Sequence, residues 1–326
     1  MSQAVLSNDK PFLIIGRAGM DFYADPPGVR TEEASQFICH LGGSSANIAV
    51  GLTKQGGSAA LVTRVSDDAI GRFCLNQLKH YGIDTTHVHS EGGEARNSLA
   101  VVETRLENTQ SVIYRNGAAD FEMTLDDIEK IDFSQYGAMV TTGTVFAAEP
   151  SRSATFHAFE KAKAAGLPVI FDVDYRPYSW PSPAVAADVY SRAGALCDIV
   201  VGNDEEFDFM AGEEGKGLEK AESLAASGAA IVVYKMGERG AITFAGDTRM
   251  ETGIYSVQAL KPTGAGDAFM GTFLASLSQG RDLEDAVLRG SASAAIVVSK
   301  VACAPAMPTP DQLDEFLNTH RGSSAA

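Results

Sequence analysis

Short apolar segments recur along the whole chain, and each has the length of a buried β-strand. The predicted strands are residues 12–15, 60–65, 139–142, 169–173, 199–201, 231–234 and 241–244. Helical spacing separates most of them, as in Ile70, Phe73, Cys74, Leu78 and Tyr81, and in Phe269, Phe273 and Leu277 before the helix-stopping Gly280. Strands that alternate with helices predict an α/β fold: one doubly wound, mainly parallel sheet flanked by helices.

Two segments interrupt this alternation. Residues 17–40 are rich in glycine, proline and charge, and residues 96–119 contain two β-like stretches that flank residues 107–110, which predicts a hairpin. No crossover helix is predicted after either segment, so we expect both to build a small β-sheet lid of the kind that closes over a substrate and excludes water. Since no linker or repeat divides the chain, residues 1–326 are predicted to form a single domain that carries this lid.

Composition and charge narrow the class of protein. The 326 residues suffice for two small domains or one large α/β domain, and 45% are hydrophobic and 21% charged, as in ordinary globular proteins. No stretch approaches the roughly 20 apolar residues that cross a bilayer. A net charge of -16 without a Lys/Arg cluster argues against nucleic-acid and membrane partners. Residues 1–10 are polar and do not resemble a secretory signal, so we expect a cytoplasmic protein.

Cysteine and histidine spacing argues against a transition-metal centre. The four cysteines, Cys39, Cys74, Cys197 and Cys303, show no C-x-x-C pairing. The six histidines include no H-x-x-x-H or H-E-x-x-H pair. A bound metal is therefore expected to be a hard cation held by oxygen atoms.

The most informative motif is a glycine-rich turn that runs into an amphipathic helix, from Gly264 through Ala265 and Gly266 to Asp267. Its free backbone N–H groups and the helix dipole, worth roughly half a positive charge, would bind an anion. Asp267 in the same first turn could accept the proton of an attacking hydroxyl while the amides stabilise a transferred phosphoryl group. The alternative is a tight turn followed by a helix-start acid. The motif is neither a Walker A loop nor a G-x-G-x-x-G fingerprint.

This motif, with Phe269 and Gly271 after it, resembles the C-terminal signature of the ribokinase-like (PfkB-type) carbohydrate kinases. Residues 42–49, which read Gly-Gly-Ser-Ser-Ala-Asn-Ile-Ala, resemble the N-terminal signature of the same family. The resemblance extends over roughly residues 11–318, in the same order along the chain. It implies a ribokinase-like fold, and it implies that Asp267 is the base and Gly264, Ala265 and Gly266 form the anion hole.

The resemblance also assigns the other ligand contacts. It implies that Asp21, Gly43 and Asn47 bind sugar hydroxyls. Asn203 and Glu206 match an N-x-x-E element in which the asparagine lies near the nucleotide phosphates and the glutamate helps to place hydrated Mg²⁺, and Lys235 and Gly237 match the nucleotide-binding strand and turn. Read without the family, Asp21 could be an exposed turn carboxylate, Asn47 a helix-start amide, Glu206 part of a solvated helix face and Lys235 a strand-end charge.

Two arginines point to an acidic substrate. Arg176 follows a predicted strand, where open α/β sheets bind ligands, and Arg115 lies on the predicted lid. Guanidinium groups that converge on one pocket would grip a carboxylate, which a neutral sugar would not require. The alternative is that Arg176 pairs with Asp172 or Asp174 and that Arg115 is an exposed lid charge.

The same arginines carry a resemblance to the sugar-acid branch of the family. Residues 172–180 and the lid's Tyr114-Arg115 are similar to that branch, which includes 2-keto-3-deoxygluconate kinases. Residues 16–24 and 114–120 look closest to members that act on 5-dehydro-2-deoxygluconate in myo-inositol breakdown. The resemblance implies transfer of the ATP γ-phosphate to the C6 hydroxyl. The alternatives are a 2-keto-3-deoxygluconate kinase, another PfkB-type sugar kinase, and a catalytically silent sugar-acid sensor.

One departure concerns the cofactors, which the resemblance gives as ATP and Mg²⁺. Many family members carry Asp-Thr-Thr before the glycine-rich turn, and that aspartate helps to bind an activating monovalent cation. This chain has Lys261-Pro262-Thr263. Since an ammonium group would oppose K⁺ there, K⁺ activation is expected to be weak or absent. The partners are expected to be ATP and a sugar acid, with a second copy of the chain as a possible partner through apolar residues of the lid.

Overall fold

The computed structural model describes residues 6–320. Residues 1–5 of the N-terminal segment lie outside it. The strands are β1 (Phe12–Ile15), β2 (Gly19–Asp25), β3 (Gln36–Gly42), β4 (Ala59–Ser66), β5 (Val88–Glu91), β6 (Leu99–Val102), β7 (Ser111–Tyr114), β8 (Ala138–Thr142), β9 (Val169–Asp172), β10 (Ile199–Asn203), β11 (Ile231–Lys235), β12 (Ala241–Ala245) and β13 (Thr248–Thr252). The α-helices are α1 (Ser44–Lys54), α2 (Ala69–His80), α3 (Leu125–Glu129), α4 (Ser151–Ala164), α5 (Pro183–Ala195), α6 (Asp204–Ala211), α7 (Gly217–Ala226), α8 (Ala265–Ser278), α9 (Leu283–Val298) and α10 (Pro310–Thr319).

The large sheet has the predicted doubly wound arrangement. Its nine strands follow the order β13-β12-β11-β10-β9-β8-β1-β4-β5. All neighbours from β11 to β5 are parallel, whereas β11, β12 and β13 pair antiparallel at one edge. Every predicted strand segment forms a strand, although β9 ends one residue before Val173. The prediction of a mainly parallel α/β sheet is confirmed.

Helices cover both faces of this sheet because each central strand is apolar on both sides. In β1, Phe12 and Ile14 pack into the core beneath α1, α2, α8 and α9, whereas Leu13 and Ile15 pack into the core beneath α4 to α7. Fully buried aromatic side chains such as Phe273 and Phe159 fill the two cores. The two layers of helices leave the strand ends as the accessible edges of the sheet.

A second, smaller sheet has the order β3-β2-β6-β7. Its strands β6 and β7 pair antiparallel as the predicted hairpin, and β2 pairs antiparallel with β3 and parallel with β6. Tyr23, Ala100 and Val102 of this sheet pack against Cys303 of the main body. We call this four-stranded sheet the lid.

None of the helices within residues 6–320 combines the length and the apolar character needed to cross a bilayer.

Candidate active site

The predicted site residues gather at the carboxyl ends of the parallel strands, which is where open α/β sheets bind ligands. Asp21 and Arg115 lie on the lid, and Gly43 and Asn47 lie at the start of α1. The remaining groups follow β9, β10 and β11 or begin α8: Arg176, Asn203, Glu206, Lys235, Gly237, Gly264, Ala265, Gly266 and Asp267. Gly237 sits in an exposed turn with φ +56°. The sheet thus brings residues from the whole length of the chain to one edge.

The glycine-rich turn forms the N-terminus of α8 as predicted. Gly264 caps the helix in the left-handed region, at φ +88°, and an added Cβ atom would lie only 2.5 Å from the Cys303 sulfur. Glycine is therefore required there for both backbone conformation and space. Ala268 N donates a helical bond to Gly264 O at 3.0 Å, which leaves the N–H groups of residues 265–267 without an acceptor inside the helix. Such N–H groups can bind phosphoryl oxygens.

Asp267 stands at this helix start with its carboxylate held by α1. Asn47 Nδ2 donates a hydrogen bond of 2.8 Å to Asp267 Oδ2. Burial and the neighbouring Asp174 raise the pKa of Asp267 to about 6, and the bond from Asn47 opposes that rise. A carboxyl group with this pKa is well matched to accepting a proton near neutral pH.

Close packing of α1 against α8 sets the geometry of that pair. A Cβ atom on Gly271 would lie 2.7 Å from Ile48 O and 2.9 Å from Gly51 Cα. Because both helices carry glycine at the crossing, their backbones approach closely enough for Asn47 to reach Asp267.

The glycine pair before α1 creates the space beside Asp21. A Cβ atom on Gly42 would lie 1.9 Å from Asp21 Oδ1, and one on Gly43, at φ +94°, would lie 2.5 Å from Arg17 O. The Asp21 side chain is buried and accepts a hydrogen bond of 3.2 Å from Tyr23 Oη. Burial raises the pKa of Asp21, and Arg17 is the strongest charge that opposes this rise. Asp21 is therefore a buried acid rather than an exposed turn carboxylate.

Both predicted substrate arginines carry carboxylate partners within the protein. Arg176 pairs with Asp174 at 2.7 Å, the partner named in the alternative interpretation, and its side chain is 42% exposed. Arg115 is buried rather than exposed, and it pairs with Asp120 while Nη1 donates to Thr144 O at 2.8 Å. Burial lowers the pKa of Arg115, partly offset by Asp120. The two groups thus flank the site as ion pairs.

Asn203 and Glu206 form a reciprocal cap at the start of α6. Asn203 Oδ1 accepts from Glu206 N, and Glu206 Oε2 accepts from Asn203 N, each at 2.8 Å. Glu206 is partly buried, which argues against the alternative that it belongs to a solvated helix face. Burial raises the pKa of Glu206 and that of the buried Asp172, and Lys235 opposes both rises. The Lys235 ammonium lies 3.7 Å from the place where a Cβ atom of Gly266 would be, beside the anion-binding turn.

The Asp172 and Glu206 carboxylates fit a hydrated magnesium ion that is bound to substrate phosphates. No cluster of three or more His, Cys, Asp or Glu side chains that could cage a metal exists within residues 6–320. Mg²⁺ usually binds through one or two carboxylates, water and substrate phosphates. Asp172 and Glu206 supply two neighbouring carboxylates of this kind, since the charge of Glu206 adds to the rise in the pKa of Asp172 that burial causes.

Lys261 lies beneath the glycine-rich turn. It is fully buried, its ammonium donates to Thr263 O, and it lies 3.6 Å from the Cys303 sulfur. Burial raises the pKa of Cys303 to about 11, whereas Lys261 opposes the rise. Tyr23 Oη bonds the same sulfur at 3.2 Å and also bonds Asp21. A single buried network therefore joins the anion-binding turn to the lid.

Sequence reasoning did not assign three charged residues to the site: Arg17, Asp172 and Asp174. Asp174 has φ 34°, a left-handed conformation that is uncommon outside glycine and that concentrates at functional sites. Burial works to raise the pKa of Asp174, but Arg176, supported by Arg17 and Arg115, holds it below its usual value. The signal was the placement of these residues at the end of β9 or shortly after β1 and β9.

Known proteins resemble this chain over nearly its whole length. The profile of the pfkB family carbohydrate kinases matches residues 10–310. The chain is 36% identical to a 5-dehydro-2-deoxygluconokinase of Photobacterium profundum, over 98% of both chains, and 35% identical to one of Geobacillus kaustophilus, over 100% of this chain and 99% of that one. Among solved structures, a double mutant of the Vibrio cholerae fructokinase in a fructose-, ADP- and potassium-bound form superposes with a TM-score of 0.83 at 27% identity, covering 97% of this chain and 100% of that chain.

Proposed function

Because this chain belongs to the pfkB family of carbohydrate kinases, we propose that it phosphorylates the C6 hydroxyl of 5-dehydro-2-deoxy-D-gluconate with ATP, in the breakdown of myo-inositol. The names of full-length relatives at 35–36% identity support this substrate. The enzyme's dependence on ATP, which cells keep abundant in the cytoplasm, is our reason for proposing a cytoplasmic location.

The pairing of Asp267 with the anion-binding turn carries the proposal. Asp267 accepts the proton of the C6 hydroxyl, whose oxygen attacks the γ-phosphorus as ADP leaves. The N–H groups of Gly264, Ala265 and Gly266 stabilise the charge that develops on the phosphoryl oxygens. Asn47 fixes the orientation of the Asp267 carboxylate through its 2.8 Å hydrogen bond. A base and an anion hole on one helix turn suit in-line transfer between two bound ligands.

Substrate contacts come from both sides of this base. Asp21 and Gly43 would orient the sugar hydroxyls from the lid and the start of α1, together with Asn47, whose buried Oδ1 has no partner in the described structure. Arg115 and Arg176 would flank the carboxylate of the sugar acid. Their positions on the lid and after β9 support a pocket that surrounds an anionic substrate.

Nucleotide contacts would come from the ends of β10 and β11. Lys235, Gly237 and Asn203 would face the phosphates, with Lys235 closest to the anion-binding turn through its approach to Gly266. Glu206, with Asp172, would hold water on a phosphate-bound Mg²⁺. That ion would neutralise negative charge on the nucleotide.

The pH dependence of the rate tests Asp267 as the base. Since the pKa of Asp267 is about 6 and only its ionised form accepts a proton, kcat/KM should fall as the pH drops below about 6 and level off above it. The measurement is a pH profile from about 4.5 to about 8, a range that brackets this ionisation. The dissociation constant of the nucleotide is measured across the same range, so that the titration of ATP can be separated from that of Asp267. A kcat/KM that stays constant as the pH drops below about 6 would contradict the assignment of Asp267 as the base.

Monovalent cations should have little influence, because the Lys261 ammonium already provides a positive charge at the Thr263 carbonyl. We expect equal rates in potassium chloride and tetramethylammonium chloride at matched ionic strength. Lys261→Ala should be slow in tetramethylammonium and partly restored by K⁺, since the Thr263 carbonyl remains available. A large stimulation of the wild type by K⁺ would refute the role given to Lys261.

The lid is also proposed as a homodimer contact. Four large apolar side chains on its edge strands, Phe37 and Ile38 of β3 and Val112 and Tyr114 of β7, are 38% to 59% exposed. Exposed apolar residues grouped on one sheet are typical of protein interfaces. Light scattering should give a dimer for the wild type and a monomer for Phe37→Glu combined with Val112→Glu, since the register places both side chains on the same face of the lid. A monomeric wild type would exclude this contact.

A coupled ADP-release assay tests the function itself. Mg·ATP is combined in parallel with 5-dehydro-2-deoxygluconate, 2-keto-3-deoxygluconate, ribose and fructose. The proposal requires the highest kcat/KM for the first acid. Preference for ribose or fructose would make Arg115 and Arg176 structural ion pairs, and ligand binding without ADP release would identify a sensor.

A further inference from the structure

Arg17 is the buried guanidinium of the site that has no carboxylate partner. It follows β1 and is 7% exposed. Within residues 6–320 it forms no ion pair within 4.0 Å, and its Nη1 donates one long hydrogen bond, 3.3 Å, to Ser98 Oγ. The Nε atom is buried and has no hydrogen-bond partner in the described structure. Burial of a charged group without a partner is costly, so such a group calls for a ligand.

The main chain fixes Arg17 at the sugar side of the site. Arg17 O accepts from Ala46 N at 3.2 Å, and it is the atom that a Cβ on Gly43 would strike. The Nη1 partner, Ser98, directly precedes strand β6 of the lid. Arg17 thus lies between the start of α1 and the lid, next to Asp21, rather than beside the nucleotide groups that follow β10 and β11.

Charge balance separates Arg17 from the other two arginines. Arg115 is matched by Asp120 and Arg176 by Asp174, so each of these pairs is nearly neutral. Arg17 lies close enough to Arg115 to add to the lowering of its pKa that burial causes. A substrate carboxylate bound beside these two neighbouring guanidinium groups would interact favourably with both.

We propose that Arg17 is the direct ion-pair partner of the substrate carboxylate and thereby sets the preference for sugar acids over neutral sugars. The inference rests on the proposed function and adds a residue to it. Arg115 and Arg176 keep their protein partners and form the walls of the pocket, while Arg17 donates Nε–H and the free Nη N–H groups to the ligand. A guanidinium fork suits a carboxylate because both groups are planar and bidentate.

The test compares the acid with a neutral ligand of the same shape. Wild type, Arg17→Gln and Arg17→Lys are assayed with 5-dehydro-2-deoxygluconate and with its C1 primary amide, and kcat/KM is measured for each. Arg30→Gln is the matched control, because it removes the same charge from an exposed side chain near the lid. Loss of a charge-assisted hydrogen bond should lower the acid-over-amide preference of Arg17→Gln by about 10- to 100-fold.

The outcomes separate the two proposals. Arg17→Lys keeps the positive charge but loses the bidentate guanidinium group, so its acid-over-amide preference should fall between those of wild type and Arg17→Gln. If Arg17→Gln does not fold, Arg17→Lys provides the test. If Arg17→Gln and Arg17→Lys turn over the acid with the wild-type preference, the role of Arg17 is overturned and the proposed function stands. If wild type does not turn over the acid, both are overturned.

Discussion

Asp267→Asn is expected to lower kcat by about 10³-fold, the middle of the range for a general base, while both ligands still bind. The amide keeps the size of the carboxylate but cannot accept the proton of the C6 hydroxyl. The N–H groups of the anion-binding turn and the contacts of Asp21 remain, so dissociation constants from calorimetry should stay close to those of wild type. The measurements are steady-state ADP release and binding of each ligand.

A matched control separates catalysis from helix stabilisation. Asp311 lies in the first turn of α10, is exposed, and acts there only as a helix-start acid. If Asp267 had the same role, Asp267→Asn and Asp311→Asn would each cost about 0.3–1 kcal/mol of stability and leave turnover intact. A kcat of Asp267→Asn within about tenfold of the wild-type value would exclude a base at this position.

Gly271→Val is expected to reduce both stability and turnover, because it forces α1 and α8 apart. The first added carbon atom would already lie 2.7 Å from Ile48 O, which is backbone and cannot turn aside. Overpacking of this kind costs about 1–3 kcal/mol or more, which exceeds the gain of up to about 1 kcal/mol from replacing a helical glycine. Separation of the helices would also break the hydrogen bond from Asn47 to Asp267, so kcat should fall in the molecules that remain folded.

Thermal unfolding and ADP release measure the two effects. Gly194→Ala is the control, since glycine in α5 is replaced where the new carbon atom meets Met210 and Leu224 at 3.4–3.5 Å, an ordinary contact distance. That variant should be as stable as wild type or more stable. An unchanged melting temperature and rate for Gly271→Val would show that the helix crossing does not set the Asn47–Asp267 distance.

The sequence predicted the central strands well because they are buried on both faces and therefore read as continuous apolar segments. It did not predict β5 and β13, the two edge strands of the large sheet, because most of their residues are polar and are exposed or half-buried. The antiparallel β11–β12–β13 edge follows from short connections that allow no crossover helix. Local pattern thus identifies the interior of a sheet better than its borders.

The local sequence likewise predicted some parts of the candidate site and not others. Gly264 and Asp267 belong to one local motif, and their placement at the start of α8 could be anticipated from chain order alone. The partners of Arg115 and Arg176, and the lack of one for Arg17, depend on which carboxylates the fold brings near each guanidinium. The Arg176–Asp174 pair joins residues two apart and was already an open alternative from the sequence, whereas the missing partner of Arg17 depends on the packing of distant segments and became visible only in three dimensions.

The two-part construction of the lid has a consequence for engineering. The first lid segment leaves the main body and returns to it at the Gly19–Gly42 pair of β2 and β3. The second segment leaves and returns at the bridge between Arg96 and Ala118. Each segment is therefore a closed excursion whose ends lie side by side, so it could be exchanged for that of a related kinase without altering the body. Because β2 and β6 pair with each other, a graft that is to transfer specificity must exchange both segments together.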